Sequence, residues 1–127
     1  MSVFRSLPML LVMGIIFFLS QQSGTTLAIP QIYGLDKCLH MLAYGTLAAT
    51  VIYAVPAHAF HNRNPWKTRM LILLFCVFYG MTDEFHQSFI PGRDVSFFDL
   101  LADAAGAGIV LLLEQMPWVR ERIMLHR

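Results

Sequence analysis

The sequence is poor in charge. Asp, Glu, Lys and Arg make up 13% of its 127 residues and hydrophobic residues 57%, whereas about a quarter of an ordinary soluble domain is charged. A soluble protein this small has much surface to cover with polar groups, so the shortage points to lipid as the solvent. A mean hydropathy of +0.58 agrees. There is no basic stripe, no aromatic–basic interleaving and no acidic tail, which excludes nucleic acid as a partner. Cysteine is scarce: Cys38 and Cys76 stand alone, without a CxxC pair, so both are expected to pack as small hydrophobes rather than form a disulfide or bind zinc. Repeats and low-complexity tracts are absent as well. The length allows a single domain over 1–127.

What is present is four apolar stretches. The first runs from Leu7 to Leu19. The second begins at Cys38 and continues to about Phe60, with Pro56 placed to bend or end it. The third runs from Met70 to Thr82 and the fourth from Phe97 to Met116. They predict an all-α integral membrane bundle of four transmembrane helices, at roughly 5–21, 36–60, 66–88 and 97–116. Gly24, Pro30 and Gly34 predict an irregular segment between the first two, and Pro91-Gly92 a turn between the last two. Crossing a bilayer takes about 20 residues of helix. The first and third cores fall short alone and must carry flanking polar residues into the membrane. Arg5, the 13-residue apolar core and Thr26-Leu27-Ala28 also fit a signal peptide, but cleavage would leave an odd number of spans.

Charge placement predicts the topology. With both termini cytoplasmic, the inner segments hold Arg5, Arg63, Lys67, Arg69, Arg120, Arg122 and Arg127, seven of the nine basic residues. The outer segments hold Lys37 and Arg93. That bias follows the positive-inside rule, and Trp66 and Trp118 fall at the inner interface. His58, His61 and His126 fall on the inner side too.

The same topology gathers the polar residues at the outer end. Asp36, Lys37, His40 and Tyr44 open the second helix; Asp83, Glu84, His86 and Gln87 close the third; Arg93 and Asp94 lie in the turn; Asp99 and Asp103 open the fourth. Six of the eight acidic residues are in that set. Asp36, His40 and Tyr44 recur at i, i+4 and i+8, one stripe along a helix. Asp83 and His86 share a face, as do Glu84 and Gln87. Asp103 lies about 6 Å deeper than Asp99 by helical rise. A carboxylate there costs several kcal/mol unless protonated, paired or wetted, and Lys37 and Arg93 are the outer cations able to pair with it.

Plainer roles exist for single residues. Asp36 fits an N-cap, Ser96-Phe97-Phe98-Asp99 a capping box, Tyr44 a packed interfacial aromatic and His40 a satisfied core histidine. Glu84 and Asp103 are placed to cap nothing. Ala102/Gly106 and Ala104/Gly108 give two small-xxx-small spacings that permit close helix contact within the bundle.

At these residues the sequence resembles the VanZ-like family. Asp36-Lys37-x-x-His40-x-x-x-Tyr44 resembles the start of the family's second helix. Asp83-Glu84-Phe85-His86-Gln87-Ser88-Phe89-Ile90-Pro91-Gly92-Arg93 resembles its most distinctive motif, and the stretch from Ser96 to Gly106 the Asp-containing segment that follows. Phe18-Leu19-Ser20-Gln21 resembles the end of its first helix. One departure is Asp103, where the resemblance leads us to expect asparagine. The resemblance implies a four-helix protein of the bacterial plasma membrane. The family's name comes from a member associated with modest teicoplanin resistance, a cell-envelope trait; no settled biochemical activity follows from it.

Three chemistries fit the cluster. It could bind a polar lipid or an envelope intermediate, with Arg93 and Lys37 on phosphate or carboxylate and Gln87, Tyr44 and His40 as hydrogen-bonding groups. It could be an intramembrane enzyme with His40 or His86 as base, Glu84 or Asp103 as acid and Arg93 on the anion. Or His40, His86, Glu84 and Asp103 could hold a divalent metal. A purely structural polar network is the fourth possibility.

Overall fold

A computed structural model describes residues 3–22, 34–60, 64–93 and 95–125. The segment 23–33, with Gly24, Pro30 and the candidate cleavage site, lies outside the described residues, as do His61, Arg63, Asp94, His126 and Arg127. The described chain is all-α. Four main helices, α1 (Val3–Ser20), α2 (Leu35–Ala54), α3 (Pro65–Gln87) and α4 (Phe97–Leu113), are followed by a short α5 (Pro117–Leu125).

Local chemistry sets most of the helix ends. Gly34 starts α2 at φ 81°, a left-handed conformation that suits glycine. Helix α2 stops at Ala54, six residues short of the expected Phe60, because Val55 precedes Pro56 and is extended, with ψ 132°. Residues Ala57–Phe60 form a 3₁₀ turn instead. Pro65 opens α3 and Pro117 opens α5, each at a position where the missing N–H costs nothing. Gly92, at φ 76°, makes the turn predicted before α4. Helix α4 ends at Leu113 rather than at the Met116 expected from the sequence, and α5 is an element the sequence does not predict.

The helices run up, down, up, down. Arg5 at the start of α1 lies over the ring of Tyr53 at the end of α2, 5.5 Å from its centroid. At the same end Thr68 of α3 donates to the Ala59 carbonyl at 2.9 Å, and Arg69 of α3 pairs with Glu114 just past α4. Arg120 of α5 reaches the Phe60 carbonyl. We call this the basic end. The other end collects the last turn of α1, the first of α2, the last of α3 and the first of α4, and is the polar end.

The core is carried by α2: Tyr44, Leu47, Ala48 and Ile52 are buried against Ile72 and Cys76 of α3 and Ala107 and Leu111 of α4. Helices α2 and α4 approach backbone to backbone. A Cβ on Gly106 would stand 2.1 Å from the Met41 carbonyl oxygen, and one on Gly45 3.3 Å from that of Gly106. The Ala102/Gly106 spacing therefore serves packing within the bundle as expected, whereas a Cβ on Gly108 would meet nothing. Cys76 is buried as expected. Cys38 is exposed, which corrects its reading as a packed hydrophobe.

Outward, the helices are apolar. Phe4 of α1 (81% exposed), Leu42 of α2 (69%), Phe78 of α3 (67%) and Leu112 of α4 (61%) are a few of many. Among the described residues, no helix is long and apolar enough to cross a membrane. Helices α1 and α4 have 18 and 17 residues, about 26–27 Å of rise. The longer α2 and α3 carry charged or polar groups in their end turns: Asp36, Lys37 and His40 in α2, and Lys67, Arg69, Asp83 and Glu84 in α3. The four main helices expected from the sequence are thus present.

Candidate functional site

At the polar end three helices bring their polar side chains together. Asp36 lies in the first turn of α2 but caps nothing: no side chain caps that helix start. Its carboxylate, 55% exposed, accepts from Lys37 Nζ at 2.6 Å. Lys37 also donates to Asp99 Oδ1 at 2.7 Å, tying α2 to α4.

The start of α4 is built differently from the capping box read in the sequence. Ser96 does cap, its hydroxyl accepting from the Phe98 amide at 3.2 Å. The reciprocal bond that Asp99 would make to the Ser96 amide in such a box is made by Glu84 of α3, whose Oε2 accepts from Ser96 N at 3.1 Å. Glu84 thereby releases Asp99 for Lys37.

Below them, His40 Nδ1 is 2.9 Å from Asp103 Oδ1. Asp103 is 1% exposed. Its second oxygen, Oδ2, sits against Gly80 of α3: a Cβ there would be 2.8 Å from Oδ2 and 3.4 Å from the Tyr44 ring. Glycine at 80 makes room for the carboxylate, a requirement the sequence reading did not see. Tyr44 is buried, and its hydroxyl, Glu84 Oε1 and Asp103 Oδ2 have no hydrogen-bond partner among the described residues. The predicted stripe thus descends from exposed Asp36 through His40 to buried Tyr44.

Two expected members stand apart. His86, two residues on from Glu84, packs its ring on Phe17 of α1 with centroids 5.0 Å apart. With Asp83, Tyr79 and Phe89 it lines a separate cavity of about 380 Å³ between α1 and α3. Asp83 accepts from Gln87 Nε2 at 3.0 Å, so these two satisfy each other. Arg93 turns away from Asp103. Its Nε donates to the Gln22 carbonyl at 3.0 Å and its Nη2 to that of Leu19 at 2.9 Å, closing the C-terminal turn of α1, where exposed carbonyls and the helix dipole favour a cation.

The candidate metal set changes accordingly. A ring nitrogen of His40 and carboxylate oxygens of Glu84 and Asp99 lie within 4.8 Å of one another. His86 is not in that group, and Asp103 stands behind His40. Asp99, absent from the expected ligand set, was within reach of sequence reasoning, because it lies one turn before Asp103 on the same face of α4. Chemically this is a hydrogen-bond-accepting, negatively biased site: three buried carboxylates, an oriented imidazole, a buried phenol and one lysine.

The fold and site define a class, a small all-α bundle with a buried polar cluster at one end. The family model described as VanZ/LLP1 matches residues 6–116, and the chain belongs to that family. The chain is 34% identical over 94 residues to the uncharacterized protein C11E3.10 of Schizosaccharomyces pombe. That match covers 72% of this chain and 55% of the relative, so the chain spans about half the relative's length. No solved structure matches the chain.

Proposed function

We propose that this is a multi-pass membrane protein whose polar end binds the polar head of a membrane lipid or of a lipid-borne envelope intermediate. Large apolar side chains face outward on all four main helices. A water-soluble monomer keeps apolar patches to a few hundred Å², so a lipid environment accounts for this surface. The short, polar-tipped helices suit a thin hydrocarbon layer or helix ends wetted by headgroups. Termini on the cytoplasmic side remain our reading of the basic end.

One observation carries the binding function. Oxygens of Tyr44, Glu84 and Asp103, on three different helices at one end, are buried without a hydrogen-bond partner among the described residues. Native proteins leave few such groups, and each costs about 1–3 kcal/mol. A ligand that donates hydrogen bonds, such as a hydroxylated or amine-bearing headgroup, offsets that cost. The geometry favours such a donor over an anion held directly by side chains, because Arg93 is tied to α1 and Lys37 to Asp36 and Asp99. A relative in a fission yeast favours a lipid present in many kinds of cell over one tied to a single type of wall, so a link to glycopeptide resistance is secondary in this proposal.

A second reading, an intramembrane enzyme, draws on the His40–Asp103 pair. Hydrogen-bonded through Nδ1, His40 would present Nε2 as a base, and Arg93 would have no part in it.

Native mass spectrometry of the protein extracted gently from its membrane tests the proposal. The expected result is a discrete lipid retained per chain and lost in Tyr44→Phe and Glu84→Gln at unchanged melting temperature. Equal retention by the wild type and both variants would overturn it.

A further inference from the structure

The polar end holds a surplus of negative charge. Asp36 and Asp99 share a single ammonium, that of Lys37, Glu84 and Asp103 meet no lysine or arginine among the described residues, and three of these four carboxylates are buried. Buried carboxylates in such number are relieved by protonation or by a compensating cation, and a cation is favoured where they converge on one point. Within the surplus, His40, Glu84 and Asp99 place three donor atoms within 4.8 Å of one another. Acidic side chains alone do not make a site. Here Glu84, one of the three and 6% exposed, also leaves Oε1 without a partner among the described residues.

We propose that His40, Glu84 and Asp99 hold one divalent cation of the Zn²⁺ or Mn²⁺ type. The inference rests on the headgroup-binding reading and supplies what that site lacks, a positive charge to meet the phosphate of a lipid head. The donor chemistry selects the ion: imidazole suits Zn²⁺ and its neighbours, while carboxylates extend the range to Mn²⁺. Donors on a common ion at about 2.1 Å stand roughly 3–4 Å apart, so modest side-chain rotations close the set. Three protein ligands leave coordination positions open, as in sites that engage a second molecule.

The groups around the three ligands fit the assignment. Asp103 Oδ1 holds His40 Nδ1 at 2.9 Å. That is the carboxylate–histidine arrangement that fixes an imidazole tautomer for metal binding through its other nitrogen. Asp103 is therefore a positioning residue. Lys37 is the competitor: its ammonium lies 2.7 Å from Asp99 Oδ1, and Asp36 Oδ2, at 2.6 Å, is ready to keep it when a cation takes Asp99.

Lys37 also gives the test its edge, because removing it should strengthen binding, a result misfolding cannot mimic. The full chain, purified in detergent without chelators, is titrated with Zn²⁺ and with Mn²⁺ alone against a metal-competing dye. We expect one ion per chain. Glu84→Gln keeps an acceptor for the Ser96 amide and so keeps α4 capped, yet should weaken binding at least tenfold. Lys37→Met should tighten it about three- to fivefold, as loss of one nearby like charge predicts. Asp103→Leu should weaken it roughly 10–100-fold, the usual effect of removing such a partner. Less than one ion per chain, or equal affinities in wild type, Glu84→Gln and Lys37→Met, would overturn the cation. Retained lipid is measured in the same samples with and without EDTA. Lipid kept with no ion bound refutes the metal alone, and neither ion nor lipid refutes the headgroup site as well.

Discussion

At the basic end, Arg69 donates through Nε (3.0 Å) and Nη2 (2.8 Å) to one oxygen of Glu114, and both side chains are buried. At the polar end, Glu84, Asp99 and Asp103 are buried beside Lys37 and His40. The first arrangement is closed: one cation answers one anion across α3 and the end of α4. The second is left open, with acceptor oxygens on three helices unmatched among the described residues. Both tie α3 to the α4 region. The difference teaches that this small bundle can satisfy a buried charge completely at one end while leaving acceptors unmatched among the described residues at the other, where we propose that a ligand docks.

The comparison breaks first at its closed end. Arg69→Ala would strand the Glu114 carboxylate and should cost about 3–5 kcal/mol, while Arg69→Met with Glu114→Leu should recover most of that. Thermal unfolding in detergent, followed by circular dichroism, measures both. A single variant as stable as the wild type would show that the basic end is not a closed pair.

Arg93→Lys comes next. A lysine cannot reach the Gln22 and Leu19 carbonyls with the same two-donor fork, and losing one charge-assisted bond should cost about 1.5–3 kcal/mol. Lipid retention should fall only in proportion to the folded fraction. Normal stability with lipid lost would instead place Arg93 in the binding site.

The smallest effect is expected from Asp103→Asn, which keeps an oxygen to accept from His40 Nδ1 while removing a buried charge. Stability should rise by up to about 1 kcal/mol, seen as a slightly higher melting temperature. A clear loss would mean that Oδ2 is matched and that the polar end is less open than the contrast implies.

How much of this was legible beforehand differs between fold and site. Apolar runs of about helix length located all four main helices, and Pro56, Pro91-Gly92 and Ser96 marked ends that the structure keeps, because backbone chemistry is local. Helix α5 was missed: Pro117 signals a start, but Arg120, Glu121 and Arg122 break the apolar pattern there. The i, i+4, i+8 stripe of Asp36, His40 and Tyr44 was also local and could be read. Partners across helices could not. Whether Arg93 meets Asp103 or the end of α1, whether Asp99 or Glu84 takes the Ser96 amide, and whether Arg69 finds Glu114 all depend on how each helix is rotated about its axis. Spacing along one helix does not fix that rotation; contacts such as Met41 with Gly106 do.

Glu84 stands in two structures at once, since the carboxylate we propose for a guest is also the one that holds the Ser96 amide. Any occupant that draws Glu84 toward itself must loosen the first turn of α4 or else lock it in a new position. Arrival at the polar end would then be written into the protection of a single backbone hydrogen. The exchange rate of the Ser96 amide is a native reporter for the proposed guest, needing no label and no assay of turnover.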